Sequence, residues 1–469
     1  MKFKTNVVVG AVFLALLAFV YIYEIKGGEE RKAEAEKSKR LLAAYAPSEV
    51  RRLVVDRGDT VLVLEKAQEE WKLVEPMEDL ADQEAVDRYL RNIDEPERER
   101  VVADSATVAE DAAVAAKYGL DQPRLKVQVE TAEGAMDGLH FGNDNPTDRL
   151  VYVQIGGDNA EIFTVLAWRF DNLDKGVFDL RDRRILAFEE AEVKEVRLEW
   201  TAGSIALERA GAEGWQLRVG TSVAADKEAV DGLVGDLKNG KIESFVDEEP
   251  DEALLQERGL GEKPQLSLSL LVGEDRAEKR LRVGYAEGSG YYARDLSRKA
   301  VFLIDSTLVH KLQQDVGNLR DKEPVKFEPG DITRIELQRE NETIIAEKDT
   351  AGQWGLVEPA GRKARSWKLS GMLDDLKGLE VEEFVDDQVE DLAAYGLDQP
   401  RIKIRLLAAG EQVLEARLEE ADGDQAFLML AGTPSVYLVE GEVLQDVDLS
   451  LDAIAHPPEP AEDESADGE

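Results

Sequence analysis

The chain repeats one pattern of apolar and polar residues three times, so its fold must be a unit that can be built three times over. Each copy opens with an alternating run, and a second alternating run and a tryptophan-led run follow it. The opening runs are VRRLVVDR from Val50, VKEVRLEW from Val193 and ITRIELQR from Ile332, and the tryptophans are Trp71, Trp215 and Trp354. Alternation with period two, broken by turn residues, predicts antiparallel strands with one buried face.

A helix is predicted after the tryptophan in every copy. The apolar residues of these segments fall on one helical face: Val86, Leu90 and Ile93 in the first, Val230, Leu233, Val234 and Leu237 in the second, and Leu369, Leu373 and Leu376 in the third. Asp82 and Asp226 precede the first two helices and are predicted N-caps. The third copy has Arg365 and Ser366 there.

The clearest repeat is YGLDQPRLKVQV from Tyr118 and YGLDQPRIKIRL from Tyr395, with a looser middle copy from Arg258, RGLGEKPQLSLSL. Its glycine suits the left-handed position after a helix, its leucine packs back on the last turn, and its proline stops the helix from resuming. We interpret the motif as a helix stop before a strand rather than as a catalytic motif.

Two aromatic strands close each copy, and a short helix follows. The first two copies then share an LRD tripeptide at 180–182 and 319–321. We therefore predict three α+β repeats with antiparallel sheets at residues 48–189, 190–330 and 331–456.

Residues 7–23 read VVVGAVFLALLAFVYIY, without a charge. As a helix this run spans about 26 Å, close to the bilayer's hydrocarbon core of about 30 Å. A cleavable signal peptide is the alternative, but bulky YIYEIK stands where its small-residue cleavage site should lie. The prediction is a cytoplasmic tail at 1–6, a transmembrane anchor at 7–23 and a charged helical stalk at 24–47.

The orientation of the anchor rests on weaker signals. Lys2 and Lys4 precede the span, whereas six basic residues follow it within the stalk, and a strict count of Lys and Arg favours the opposite topology. Glutamates interleave the downstream charges, and long domains cross largely regardless of charge. We predict a single-pass protein of the cell inner membrane with the bulk of the chain periplasmic or extracytoplasmic.

The excess of acidic over basic residues restricts the kinds of molecule that the chain can bind. The 469 residues include 99 acidic and 58 basic ones, a formal net charge of −41. This field repels phosphate backbones, so no nucleic-acid partner is expected. The segment 457–469, PPEPAEDESADGE, is predicted to be a disordered acidic tail.

With these motifs assembled, the chain resembles the bacterial family named domain of unknown function 4340. The resemblance rests on the N-terminal anchor, the tryptophan strand, the helix opening with Ala-Asp, and the YGL…P stop, and it covers most of the chain after Pro47. It implies an extracytoplasmic companion of ABC transporters of the gliding-motility type. The implied partner is a membrane protein, such as a permease or auxiliary subunit. The resemblance implies no catalytic residues.

Few residues of the chain are of the types that commonly form catalytic or metal-binding sites. Cysteine is absent and the three histidines are scattered, so no catalytic, cofactor-binding or metal-binding residue is predicted. Two adjacent carboxylate pairs, Asp374/Asp375 and Asp386/Asp387, and two oxygen-rich turns, 143–145 and 422–424, are interpreted as ordinary surface features.

We therefore predict a non-enzymatic scaffold or accessory protein associated with an ABC-type transport complex. Two alternatives stay open. A carboxylate-dependent hydrolase of envelope polymers requires two acids about 5–10 Å apart in one cleft. A ligand-binding module requires an apolar pocket.

Overall fold

The computed structural model describes residues 46–456 except 95–97, 112, 137, 158–160, 202, 212–213, 220 and 361. The predicted cytoplasmic tail, the anchor, the stalk up to residue 45 and the tail 457–469 lie outside this range. No helix within it has the length and apolar composition to cross a membrane. The described residues form two compact units, one from residues up to 184 together with 241–248, and the other from 185–240 together with the residues from 249 on.

The first unit contains one antiparallel sheet. Its strands are β1 (Val50–Asp56), β2 (Val61–Ala67), β3 (Glu70–Glu75), β4 (Asp79–Leu80), β5 (Arg100–Ala103), β6 (Leu125–Thr131), β7 (Gly134–Ala135), β8 (Leu139–Asn145), β9 (Leu150–Ile155) and β10 (Ile162–Leu166). They are ordered β4-β3-β2-β1-β6-β8-β9-β10-β5, and β7 adds to β6. Two meanders are thus joined where β1 pairs with β6.

The second unit contains two sheets with the same plan. One has β11 (Val193–Trp200), β12 (Gly203–Ala210), β13 (Gly214–Val219), β14 (Thr221–Ala225), β16 (Leu266–Val272), β17 (Ala277–Glu287), β18 (Gly290–Asp295) and β19 (Val301–Asp305). The other has β20 (Ile332–Arg339), β21 (Glu342–Lys348), β22 (Trp354–Glu358), β23 (Val381–Asp386), β24 (Ile402–Ala408), β25 (Glu411–Glu420), β26 (Gln425–Leu430) and β27 (Val436–Glu440). The remaining strand, β15 (Ser244–Asp247), belongs to the 241–248 segment of the first unit.

In each sheet of the second unit the opening strand again joins two meanders. The orders are β14-β13-β12-β11-β16-β17-β18-β19 and β22-β21-β20-β24-β25-β26-β27-β23, so β11 and β20 occupy the place of β1. The fold is therefore α+β with three antiparallel sheets, as predicted. The compact units are two rather than three, and the repeat boundaries at 189/190 and 330/331 stay predictions.

The longest helices are the three predicted after the tryptophan strands: α1 (Gln83–Asp94), α6 (Lys227–Asn239) and α9 (Ser366–Lys377). All the apolar residues predicted on their inner faces are buried, and so are Trp71, Trp215 and Trp354. The carboxylates of Asp82 and Asp226 accept hydrogen bonds from backbone N–H groups three residues on, which confirms the predicted caps. Burial of one apolar face against the sheet stabilises these helices more than their propensity does.

The shorter helices connect strands or close the repeats. They are α2 (Ser105–Glu110), α3 (Ala113–Lys117), α4 (Ala167–Leu173), α5 (Val177–Leu180), α7 (Glu252–Glu257), α8 (Ser306–Leu312), α10 (Gly441–Val447) and α11 (Leu451–Ile454). Single 3₁₀ turns lie at Pro47–Glu49, Glu190–Glu192, Val316–Leu319 and Leu392–Tyr395.

The helix stop predicted from the YGL motif is confirmed in its geometry. Gly119, Gly259 and Gly396 have φ values of 71°, 72° and 70°, in the left-handed region that favours glycine. The leucine after each is buried. In the third repeat the stop ends a 3₁₀ turn rather than an α-helix. Only nine positions separate Asp386 from Tyr395, against eleven from Asp247 to Arg258, which leaves less room for a helix.

The first two repeats hold this stop against the sheet through a second glycine. Gly142 in β8 and Gly284 in β17 lie where the pairing register shifts. A Cβ atom on them would lie 2.3 Å from the Tyr118 carbonyl oxygen and 2.1 Å from that of Arg258. The following residues, Asn143 and Tyr285, donate their backbone N–H to those same oxygens.

We expect Gly142→Ala and Gly284→Ala each to lower the free energy of unfolding by about 1–3 kcal/mol, because the methyl group must push the stop away from the strand. Urea denaturation followed by circular dichroism measures this. The matched control is Gly232→Ala in α6, where no atom lies within 4 Å of the added Cβ. It should raise stability by about 0.5–1 kcal/mol. If Gly142→Ala and Gly284→Ala were as stable as the wild type, the close contact of these glycines with the carbonyl oxygens of the helix stop would be contradicted.

Candidate functional site

Charged side chains line three surface cavities of the described residues. One of about 740 Å³ lies in the third repeat beside the loop Asp398–Arg401. Another of about 550 Å³ lies between the second and third repeats, and a third of about 460 Å³ lies beside α6. Most of the residues that line each of the three are Asp, Glu, Lys or Arg, unlike the mainly hydrophobic pocket that the ligand-binding alternative requires.

The polar groups of the 740 Å³ cavity bind one another. Asp448, whose side chain is buried, lies 2.8 Å from Arg339 Nε and 2.8 Å from Arg401 Nε. The hydrogen bond to Asp448 raises the pKa of the Arg401 guanidinium above its ordinary value. Glu419 accepts the backbone N–H of Arg401, and Glu420 accepts from its guanidinium. These carboxylates therefore fix the loop of the YGLDQPR motif, which supports its structural interpretation.

The adjacent carboxylates Asp374/Asp375 and Asp386/Asp387 do not form the pair of acids in one cleft that a hydrolase requires. Asp386 caps the backbone N–H of Gln388 and accepts from the Tyr395 hydroxyl, whereas Asp387 binds Arg320. Partial burial, followed by repulsion from Asp446 and Asp374, raises the pKa of the Asp375 carboxyl. Neither pair lines the three cavities above.

Local contacts occupy both oxygen-rich segments, and 143–145 is the end of strand β8, paired with β9, rather than the predicted turn. Asp144 forms an ion pair with Arg124, and the Asn145 side chain accepts from the backbone N–H of Thr147. Gly423 has a φ of 79°, so 422–424 is a turn. Within the described residues no group of three or more His, Cys, Asp or Glu side chains could hold a metal ion.

The most distinctive arrangement of charge in the first unit surrounds Arg181, the arginine of the first LRD. Its side chain is only 2% exposed. Its guanidinium lies 3.3 Å from the centre of the Phe245 ring and binds both oxygens of Glu248 at 2.8 Å. Asp79 accepts a further hydrogen bond of 2.6 Å from Nε. Phe245 and Glu248 belong to the 241–248 segment, so Arg181 holds a piece of the second predicted repeat within the first unit.

The second unit repeats this arrangement around Arg320, the arginine of the second LRD. Its side chain is 7% exposed, lies 3.7 Å from the centre of the Phe384 ring and binds both oxygens of Asp387 at 2.6 and 3.0 Å. Phe384 and Asp387 lie in and just after β23 of the third repeat. Arg320 therefore fastens the second repeat to the third. We call each set of arginine, phenylalanine and carboxylate an arginine junction.

Backbone pairing sets the place of each junction. Arg181 bridges Ala81, just before α1, and Arg320 bridges Ala225, just before α6. The equivalent bridge in the third repeat joins Ala364 to Ala455. The third repeat thus has an alanine where the other two have the junction arginine.

The physical basis of the junction is the desolvation of a guanidinium. A buried cation is costly unless ion pairs and hydrogen bonds replace its water, and a bidentate carboxylate with an aromatic face supplies both. Removal of the carboxylate leaves a buried guanidinium without its ion pair, so the junction resists separation of the segments it joins.

The sequence contained a signal for the junctions that the LRD motif alone did not reveal. The tripeptide FVD occurs at 245–247 and at 384–386, in the two repeats that follow an LRD. The corresponding strand of the first repeat, β5, reads RVVA and has no phenylalanine. An LRD in one repeat followed in the next by FVD and an acidic residue is the pattern that indicates the contact.

Comparison with known protein families gives three matches to the domain of unknown function DUF4340, over residues 71–222, 215–366 and 354–457. The chain belongs to the DUF4340 family. Each DUF4340 match begins at one of the buried tryptophans, Trp71, Trp215 or Trp354. The first two continue through a junction arginine into the opening strands of the next repeat, so the matched DUF4340 unit is offset from the sheet. No curated protein matches the chain.

We expect Arg320→Ala to lower the free energy of unfolding of this DUF4340 protein by about 2–3 kcal/mol, because Asp387 and the Phe384 face lose their cation. Arg320→Lys should recover only part of the loss, since an ammonium cannot bind both carboxylate oxygens in parallel. Denaturant unfolding followed by circular dichroism measures both.

Arg218→Ala is the control for this comparison. Arg218 also pairs with a carboxylate, that of Glu208, but its side chain is 63% exposed. Exposed pairs contribute about 0–1 kcal/mol, so the control should change stability little. Equal effects at positions 218 and 320 would refute the special role of the junction.

Proposed function

We propose that this chain is a non-enzymatic scaffold or accessory protein, anchored in the cell inner membrane by residues 7–23 with its repeats on the extracytoplasmic side, beside an ABC-type transport complex. The observation that carries the proposal is the arginine junction, which occurs twice at equivalent positions. A chain in which a buried arginine of one repeat binds a phenylalanine and a carboxylate from a segment of the next suits a protein that holds partners at set places.

The junctions support a mechanical function through their energetics. Linkers between independent domains are usually exposed and polar, and relative motion is the default where the interface is small. Here Arg320 closes a desolvated contact between the second repeat and β23 of the third. The 550 Å³ cavity beside that contact is lined mainly by the second repeat, Asp226 among others, and by Glu380 of the third. Residues of two repeats therefore form one continuous surface that a partner could contact.

The charge of the chain supports a protein partner. A formal charge of −41 repels anionic lipid head groups and nucleic acids over distances of about 8–10 Å at ordinary salt. The negative potential of the chain attracts a membrane protein whose extracytoplasmic surface is basic. A permease or auxiliary subunit of the transporter satisfies this description.

The anchor is tested with the full-length chain in membranes. We expect it to stay in the membrane pellet through alkaline carbonate, and Leu16→Arg together with Leu17→Arg to release it, because an arginine at the centre of a span costs about 2.5–3.5 kcal/mol. Leu42→Arg lies outside the apolar run and is the matched control. Release of the unaltered chain by carbonate would contradict the anchor.

The scaffold is tested by crosslinking in intact membranes followed by affinity purification and mass spectrometry. We expect an integral membrane subunit of an ABC-type transporter to be recovered with the wild-type chain and with Arg218→Ala. Recovery should fall at least threefold with Arg320→Ala, because the junction holds the second and third repeats together. Undiminished recovery with Arg320→Ala would show that the junction does not serve the partner, and no transporter subunit at all would refute the association.

A further inference from the structure

The third repeat reverses the charge of a surface that the other two repeats keep acidic. At the start of its helix α9 lie Arg365 and Trp367, in the places held by Asp82 and Glu84 before and in α1 and by Asp226 and Glu228 before and in α6. The equivalence is fixed by the backbone bridges of Ala81, Ala225 and Ala364. We call the residues Arg362, Lys363, Arg365, Trp367 and Lys368 the basic–aromatic surface.

This surface is unusual for the chain in both charge and exposure. From Pro359 to Leu373 the sequence has four basic residues and no acidic one, although the chain has 99 acidic residues against 58 basic. Trp367 is 66% exposed, the highest value among the exposed large hydrophobic residues. The ammonium of Lys368 lies 4.8 Å from the centre of its ring. Exposed aromatic groups beside cations are typical of binding surfaces.

The chemistry of the surface specifies its ligand. Arginine and lysine side chains bind carboxylates, and an exposed indole face binds proline rings in extended segments. A segment that combines prolines with closely spaced acids therefore complements the surface. Residues 457–469, PPEPAEDESADGE, have three prolines and six acids and no basic residue.

The residue that precedes this segment lies against the basic–aromatic surface. His456, the residue before it, donates its backbone N–H to the Lys363 carbonyl at 2.9 Å and accepts from Arg362 Nη2 at 3.0 Å. Four peptide units separate Lys363 from Trp367, which span at most about 15 Å. The first five residues after His456 are long enough to reach the indole. A tethered ligand at such a distance has an effective concentration of about millimolar, so even weak contacts fill the site.

Asp452 forms an ion pair with this surface, 3.6 Å from Arg362 Nη1, and its side chain is almost wholly exposed. The Arg365 guanidinium donates to the carbonyl groups of Asp452 and Ala453, which orients it without neutralising it. The segment that carries the surface supplies four basic residues and no acidic one.

We propose that the acidic segment 457–469 binds in cis to the basic–aromatic surface of the third repeat, with its prolines against Trp367 and its carboxylates against the Arg and Lys side chains.

The test uses the full chain in detergent with a stop codon after His456, titrated with a fluorescent PPEPAEDESADGE peptide and followed by anisotropy. We expect the peptide to bind the truncated chain, and to bind the intact chain at least tenfold more weakly because the segment in cis occupies the surface. Trp367→Ala in the truncated chain should weaken binding at least fivefold. Trp168→Ala is the matched control, since Trp168 is 47% exposed and stacked on Arg169 in the first repeat.

Three outcomes would overturn the proposal: equal affinity for intact and truncated chains, no loss with Trp367→Ala in a variant with native circular dichroism, or equal loss with Trp168→Ala. A photo-crosslinker at position 460 of the intact chain separates the possible occupants. Crosslinks to 362–368 within a monomer support binding in cis. Crosslinks between two copies, or to another protein alone, would assign the surface to that occupant instead.

Discussion

The opening strand of each repeat is the constraint on which the rest of the structure depends. β1 pairs with β2 on one edge and with β6 on the other, and β11 and β20 do the same in their sheets. Two meanders that are separate in sequence thereby become one sheet. Without this strand, each meander would be a small sheet with an unpaired inner edge, which is marginally stable and prone to pair with other chains. The long helix and the buried tryptophan then cover the hairpin side of that sheet.

The arginine junctions add a second level of order, and their strength follows from burial. Most ion pairs of this acidic chain are exposed and contribute little each. Arg181 and Arg320 differ because their side chains are nearly excluded from water, so the carboxylate and the phenylalanine of the following segment become obligatory partners. The same contact explains why 241–248 is part of the first compact unit although that segment belongs to the second repeat in sequence.

Local patterns predicted the parts of the fold whose causes are local. The three long helices, their apolar faces and the left-handed glycines of the YGL stop all follow from residues within one or two turns of one another. The short strands β5 and β23 were not predicted. They have four and six residues, and their pairing with β10 and β27 joins residues fifty or more positions apart, which no local pattern encodes. The partners of the LRD arginines were missed for the same reason, although the repeated FVD was visible.

The sequence by itself determined that one α+β unit occurs three times, because hydrophobic period and turn residues act over a few residues and survive in every copy. It also determined the excess of negative charge. The tertiary structure alone decided which charges are buried and paired, since the free energy of an ion pair depends on the water removed from it and not on its presence in the chain. For this reason Arg181 and Arg320 become junctions, while Trp367 and its basic neighbours stay at the surface.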